Sequence, residues 1–268
     1  MRIRQRRKYT SIILALSLLV VLEGIFIFVL WIKRPAEKPA VPPPEKKAVY
    51  KGEIAVVIDD WGYSQNNLAT LEQIKLPLTV AVLPHLAYSR QVAQELHDQG
   101  CEVILHLPME PHEKTNLEKN TLMTSMDSAT ISRIIGDDLE SVVYAKGISN
   151  HMGSRATEDE RTMKGVFREM KQRRLYFLDS YVTPRSVAGR LAGEMGVRFA
   201  RRDIFLDNKS DPEYIKGQLQ KLKSRARMKG YAIGIGHDRP STLAVLKEEL
   251  PQLKREGYKL VFVSELTR

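Results

Sequence analysis

Two adjacent carboxylates, Asp59 and Asp60, close the apolar run Val56-Val57-Ile58 in the stretch VVIDDWGYS. Like charges side by side repel, and neither is readily desolvated at the end of a buried strand. Further polar groups stand at the ends of other apolar runs. His106 lies in ILHLPMEP and His151 in ISNHMGSR, Asp179 and Ser180 end LYFLDSY, and His237 and Asp238 end IGIGHDRP. Three of the six histidines occupy such positions; His85 follows an apolar run by two residues, His97 lies in a helical pattern and His112 in a loop. Two imidazoles and one carboxylate are a usual catalytic zinc set, with a position left for water. A divalent cation beside the acids offsets their repulsion: one of the pair can bind it while the other accepts a proton from water. Each residue alone has a plainer reading. A lone strand-end His is commonly a hydrogen-bonded structural group, and an Asp after a strand is commonly a helix N-cap. Asp59 or Asp60 could cap a helix starting near Ser64, although Ser64 is itself the better cap. Cys101 is the only cysteine, which excludes an intramolecular disulfide and a CxxC metal site. It heads an apolar run and reads as a buried thiol.

The elements that must position these residues are short apolar runs alternating with amphipathic helical patterns. Strands are expected at 54–58, 78–83, 103–107, 147–150, 175–179, 197–200, 231–236 and 259–263. Helices are expected near 64–74, 88–99, 128–145, 157–173, 185–195, 211–229 and 240–255. Continuous apolar strands between helices indicate a parallel sheet buried on both faces. Seven or eight such units predict an α/β fold, a distorted (β/α)7-type barrel of parallel strands, with an open doubly wound sheet as the alternative. In a parallel barrel all C-terminal strand ends meet on one rim, so the polar groups above converge only if the sheet is parallel.

The net charge of +10 is concentrated at the N-terminus: residues 1–51 carry 11 Lys/Arg against 3 Glu, and the remainder 31 against 29 Asp/Glu. The folded part therefore lacks the basic excess of a nucleic-acid-binding surface. Residues 1–10 form a basic segment expected in the cytoplasm. Residues 11–31 are long and apolar enough for a transmembrane helix, read as an uncleaved signal anchor with a cleaved secretion signal as the alternative. Glu23 is costly near the middle of that span. Lys/Arg number five before the span and five from Lys33 to Lys47 after it, so orientation rests on the absence of acids before it and on its being first to emerge. That orientation makes the protein a single-pass inner-membrane protein with its barrel in the periplasm. Residues 32–52 are a Pro/Lys-rich linker, which at roughly 3 Å per residue reaches on the order of 50 Å. Residues 53–268 form the barrel domain.

The segments VVIDDWG, LTVAVLP, EVILHLPMEP, SNHMGSRAT, LYFLDS and IGIGHDRPST resemble polysaccharide deacetylases of the NodB-homology type, in their divergent, YibQ-like branch. The likeness covers nearly all of residues 53–268. It implies a distorted (β/α)7 barrel, a divalent metal with zinc first among the candidates, and removal of acetyl groups from N-acetylated sugars. It implies Asp59 as catalytic base, Asp60 as metal ligand, His106 as ligand and His237 as general acid. The family's second motif continues with a His four residues on, where this chain has Glu110. Either Glu110 is the third ligand or His151, from the neighbouring strand end, replaces the missing imidazole; His151 is favoured. Asp179 is expected to orient His151 or His237, and Arg155 to orient carboxylates or substrate.

The leading expectation is thus a metal-dependent amidohydrolase acting on an acetylated sugar or envelope glycan. A glycoside hydrolase fits less well, because adjacent acids lack the separation its carboxylates need and three strand-end histidines go unexplained. No G-x-S-x-G elbow supports a serine hydrolase. A non-catalytic alternative is a glycan-binding or scaffolding protein that keeps the metal and has lost turnover.

Overall fold

The computed structural model describes residues 2–33 and 50–268, which separate into two compact units. Of the expected linker, residues 34–49 lie outside the described residues. The first unit is helix α1, Arg2–Ile32. Its segment Leu14–Ile32 has a mean hydropathy of 2.6 and no buried residues, so by length and composition it can cross a membrane.

The second unit is built on one sheet. Strands β1 (Glu53–Trp61), β2 (Thr79–Val82), β3 (Glu102–Met109), β4 (Gly147–Met152), β5 (Tyr176–Asp179) and β6 (Phe199–Arg201) lie side by side in sequence order. On the other side of β1 come β8 (Tyr231–His237) and then β7 (Ile204–Phe205), while β9 (Lys259–Leu260) pairs with the start of β1. Every pair is parallel. Helices α2 (Leu68–Glu72), α3 (Ser89–Asp98), α4 (Ser128–Ser141), α5 (Glu160–Arg173), α6 (Ala188–Met195), α7 (Pro212–Lys229) and α8 (Pro240–Arg255) return the chain between strands. Their starts follow local chemistry: Asp127, Asp159 and Asp211 accept from the backbone N–H three residues on, and Pro212 follows the last of these.

Alternation along the strands divides the core in two. Ile54, Val56 and Ile58 face the large outer core against the helices, with Val80, Leu105, Ile148 and Phe177. Ala55, Val57, Ala81, Ile104, Leu178 and Ile235 line a smaller inner cluster, into which Val261, Val263 and Leu266 also pack. The sheet is therefore curled around its inner face. The expected last strand, 259–263, is cut short: only Lys259–Leu260 pair, and the chain then turns inward to form α9, Val263–Leu266.

The curl does not end in a closed ladder. Strands β6 and β7 are the two ends of the sheet and are joined by Arg202 and Asp203 alone. Parallel neighbours need a crossover of about a dozen residues, so this short link cannot make them partners. It steps across the gap instead: Arg202 N donates to Asp179 O on one side and Asp203 N to Ile233 O on the other. Strand β7 is an element beyond those expected from the sequence.

Candidate metal centre and active site

The rim at the C-terminal strand ends starts with a β-bulge. Ile58 pairs with Val80 and Trp61 with Val82, so three residues of advance on β1 meet two on β2. Asp60 sits in the bulge with φ 67°. The left-handed region is strained for a residue with a side chain, at roughly 1 kcal/mol or more. Simple alternation would send Asp59 inward and Asp60 outward. The bulge breaks that alternation and brings both carboxylates to the same histidines. Neither acid caps a helix: α2 is preceded by Asn67, whose side chain donates to Asp238 Oδ1 (2.8 Å).

His106 is buried on β3 directly opposite Ser149 of β4, and its Nδ1 is hydrogen-bonded to Ser149 Oγ (2.8 Å). That bond fixes the ring and leaves Nε2 facing Asp60 Oδ1 (3.3 Å) and Asp59 Oδ2 (3.6 Å). His151, two residues beyond Ser149, places Nδ1 3.2 Å from the same Asp60 oxygen. The two rings lie 5.0 Å apart and nearly perpendicular. One ligand atom from each of Asp60, His106 and His151 lies within 4.8 Å of the others. Asp60 Oδ1 and Asp59 Oδ1 are buried without a hydrogen-bond partner. Asp60 Oδ1 is thus close to two ring nitrogens yet lacks hydrogen-bond alignment with either. Donors ~2.0–2.1 Å from a shared tetrahedral ion stand ~3.3–3.4 Å apart. The spacing, the donor chemistry and the orphaned oxygens all fit a divalent cation.

The electrostatics separate the two acids. Burial pushes the Asp59 carboxyl upward, and the like charge of Asp60 adds to this against the opposing pull of His106. Burial acts in the same sense on Asp60, but the two imidazoles beside it outweigh burial and hold it far below the usual carboxylate range. His106 is itself raised, the nearby acids overcoming the burial that disfavours its cation.

His237 ends β8 beside Asp59, its register partner on β1. Its Nδ1 is hydrogen-bonded to Asp207 Oδ1 (2.7 Å), and its backbone N donates to Asp207 Oδ2 (2.8 Å). Asp207 is fully buried and also accepts from Thr242 Oγ1 (2.6 Å). Burial opposes a charge on His237, but Asp207, with Asp59 and Asp60 beyond it, prevails and raises its pKa. This corrects one expectation, because Asp179 holds neither histidine. Its oxygens accept from Tyr181 N (2.8 Å) and Ser186 Oγ (2.8 Å), ordering the loop after β5. Asp207 lies beyond the sequence reading because the strand before it has only two residues. The signal available was a second Phe-Leu-Asp, at 205–207, matching that at 177–179.

Glu110 and Arg155 lie outside the cluster. Glu110 Oε2 accepts from Thr124 N (2.5 Å) and Oγ1 (2.7 Å), and Oε1 pairs with Arg155 Nη1 (3.2 Å). The Glu110 carbonyl accepts from Arg155 N and Ala156 N, both at 3.0 Å. Glu110 therefore ties loops together, and the carboxylate that Arg155 meets is this one. Cys101 is half-buried, and burial pushes its thiol up to about 12, far from a thiolate nucleophile.

Residues 56–267 match the divergent polysaccharide deacetylase family. The chain belongs to that family. It is 40% identical over 200 residues to the uncharacterized protein YibQ of Escherichia coli K12, across 75% of this chain and 63% of that protein's length. An uncharacterized protein of Haemophilus influenzae Rd is 36% identical over 218 residues, covering 81% of this chain and 78% of the relative. The crystal structure of an uncharacterized protein from Agrobacterium tumefaciens C58 superposes with a TM-score of 0.76 at 22% identity, over 81% of this chain and 90% of that one, which shows a shared fold. The rim built from Asp59, Asp60, His106, His151 and His237 is this chain's candidate functional site.

Proposed function

We propose that this protein is a metal-dependent deacetylase that hydrolyses the amide of an N-acetylated sugar or envelope glycan. The observation that carries the reading is the convergence of Asp60, His106 and His151 within 4.8 Å, at a rim that Asp59 and His237 share. Asp60, His106 and His151 would hold a divalent cation, with zinc the first candidate for such a donor set. When bound, it polarises the scissile carbonyl and lowers the pKa of water. Asp59, whose pKa is raised by burial and further by the charge of Asp60, accepts in its ionised form the proton of the attacking water. His237, charged through Asp207, donates a proton to the departing amine. Asp207 accepts from Nδ1–H of that imidazolium, so the proton given up is the one on Nε2.

We place the site outside the cytoplasm, with α1 as a signal anchor in the inner membrane. A second reading keeps the cation and discards turnover: Glu110, where the family's second motif has an imidazole, faces Thr124 and Arg155 rather than the cluster. The protein then binds or scaffolds glycan. Acetate release from N-acetylated glycan fragments by the full chain separates the two. Deacetylation predicts acetate, abolished by a chelator and by Asp59→Asn. Tight fragment binding with no acetate overturns it in favour of the second reading.

A further inference from the structure

The hydrogen bond to the His237 ring and the aromatic ring beside it both come from β7 or the loop after it. Phe205 stacks on the imidazole with centroids 6.0 Å apart and planes at 17°, and Asp207 holds Nδ1. Yet β7 has two residues and is one end of the sheet. It pairs with β8 on one side, and Gln218 of α7 donates to the Phe205 carbonyl (2.8 Å). On its other side the sheet has no ladder, and the side chain of Arg202 stands there. Its Nε donates to Ser180 O (2.7 Å) and its Nη2 to Tyr181 O (2.8 Å), both just beyond the end of β5. Its guanidinium carbon lies 3.6 Å from the centroid of Phe205. One planar group therefore grips the loop after β5 through its donors and the β7 residue Phe205 through its face. Lysine cannot do both, because it lacks the fork and the flat surface.

We propose that Arg202 is a positioning residue: it links the loop after β5 to β7, across the gap where the sheet does not close, and, through Phe205, fixes the imidazole of His237. The inference concerns where His237 sits, and it draws on the proposed hydrolysis only for the kinetic arm of its test. Arg202 touches no reacting atom. Its effect passes through an aromatic ring, so a ring must be present at 205 for it to be felt. Burial disfavours the Arg202 cation and prevails, although the charges of Asp179 and Asp59 nearby oppose it.

The test is NMR of the full chain in detergent with isotope-labelled histidine, the His237 signals assigned with a His237→Gln variant. In Arg202→Met, Arg202→Lys and Phe205→Leu the His237 ring signals should shift and broaden, while Phe205→Trp should leave them near wild type. The double variant Arg202→Met/Phe205→Leu should change them no further than either single one, because the two residues act in series. Where acetate release is measured, kcat should fall about tenfold in those variants with KM unchanged, as expected for a misplaced catalytic group. Unmoved His237 signals in folded Arg202→Met, or effects of Arg202→Met and Phe205→Leu that simply add, overturn the proposal. A wild-type chain that releases no acetate removes the hydrolytic reading and leaves the NMR result to decide this one.

Discussion

At the scale of residues, the paired acids are made unequal by where a bulge puts them. Asp60 meets two imidazoles and stays ionised, while Asp59 is buried beside it with an upward-shifted pKa. Unequal neighbours give adjacent carboxyls separate tasks. The Asp207–His237 pair gives a sharper prediction. In the proposed hydrolysis His237 must be protonated to donate, and Asp207 raises its pKa, so acetate release should persist upward in pH and be lost as pH rises through that pKa. Asp207→Asn removes the charge and should move this loss to lower pH, with kcat reduced about 10²–10⁴-fold; a pH–rate profile checks both. Asp59, Asp60, His106, His151 and His237 were legible in the sequence because each ends or nearly ends an apolar run, and a parallel sheet gathers such ends. The partners of Glu110 and Asp179 were not legible. They lie in loops, Thr124 and Arg155 for one and Tyr181 and Ser186 for the other, which no strand pattern specifies.

At the scale of elements, the inner face of the sheet is crowded where it is smallest. Gly147 of β4 is paired with Tyr176 of β5, and a Cβ at 147 would lie 2.6 Å from the tyrosine ring. That ring is fully buried, and its hydroxyl donates to the buried Glu102 (2.8 Å), whose same oxygen accepts from Ser264 N (3.1 Å) at the start of α9. Gly147→Ala must displace the ring and disturb that network. Overpacking of this kind costs ~1–3 kcal/mol, so urea unfolding should show a loss in that range, with the rim residues untouched. Most strands and helices were legible within a few residues because their apolar periods are unambiguous. The last apolar run was misleading. A strand and an inward-turning plug both need buried Val261 and Val263, and only the packing of α9 into the inner cluster distinguishes them. The sheet's failure to close follows from a two-residue link that is visible only once β7 is recognised as a strand.

At the scale of the whole molecule, a site-bearing unit follows a helix able to cross a membrane. If that helix anchors the protein, the full chain should stay in the membrane fraction after alkaline carbonate extraction and keep its N-terminal residues. Recovery of a shortened chain in the soluble fraction contradicts anchoring and identifies a cleaved signal. The broad architecture and the rim were readable from one sequence because a parallel sheet converts linear spacing into a shared edge. The seam, with Arg202 and Asp207 beside it, was not, because it arises where that regularity stops. The central claim is that Asp60, His106 and His151 hold a divalent cation and Glu110 does not. Its most direct test is the metal content per chain of the purified full-length protein and of its Asp60→Ala, His106→Ala, His151→Ala and Glu110→Ala variants. The account predicts about one divalent ion per chain in the wild type, loss in the first three variants and retention in Glu110→Ala. Retention in Asp60→Ala and His106→Ala, or loss in Glu110→Ala with retention in His151→Ala, contradicts it.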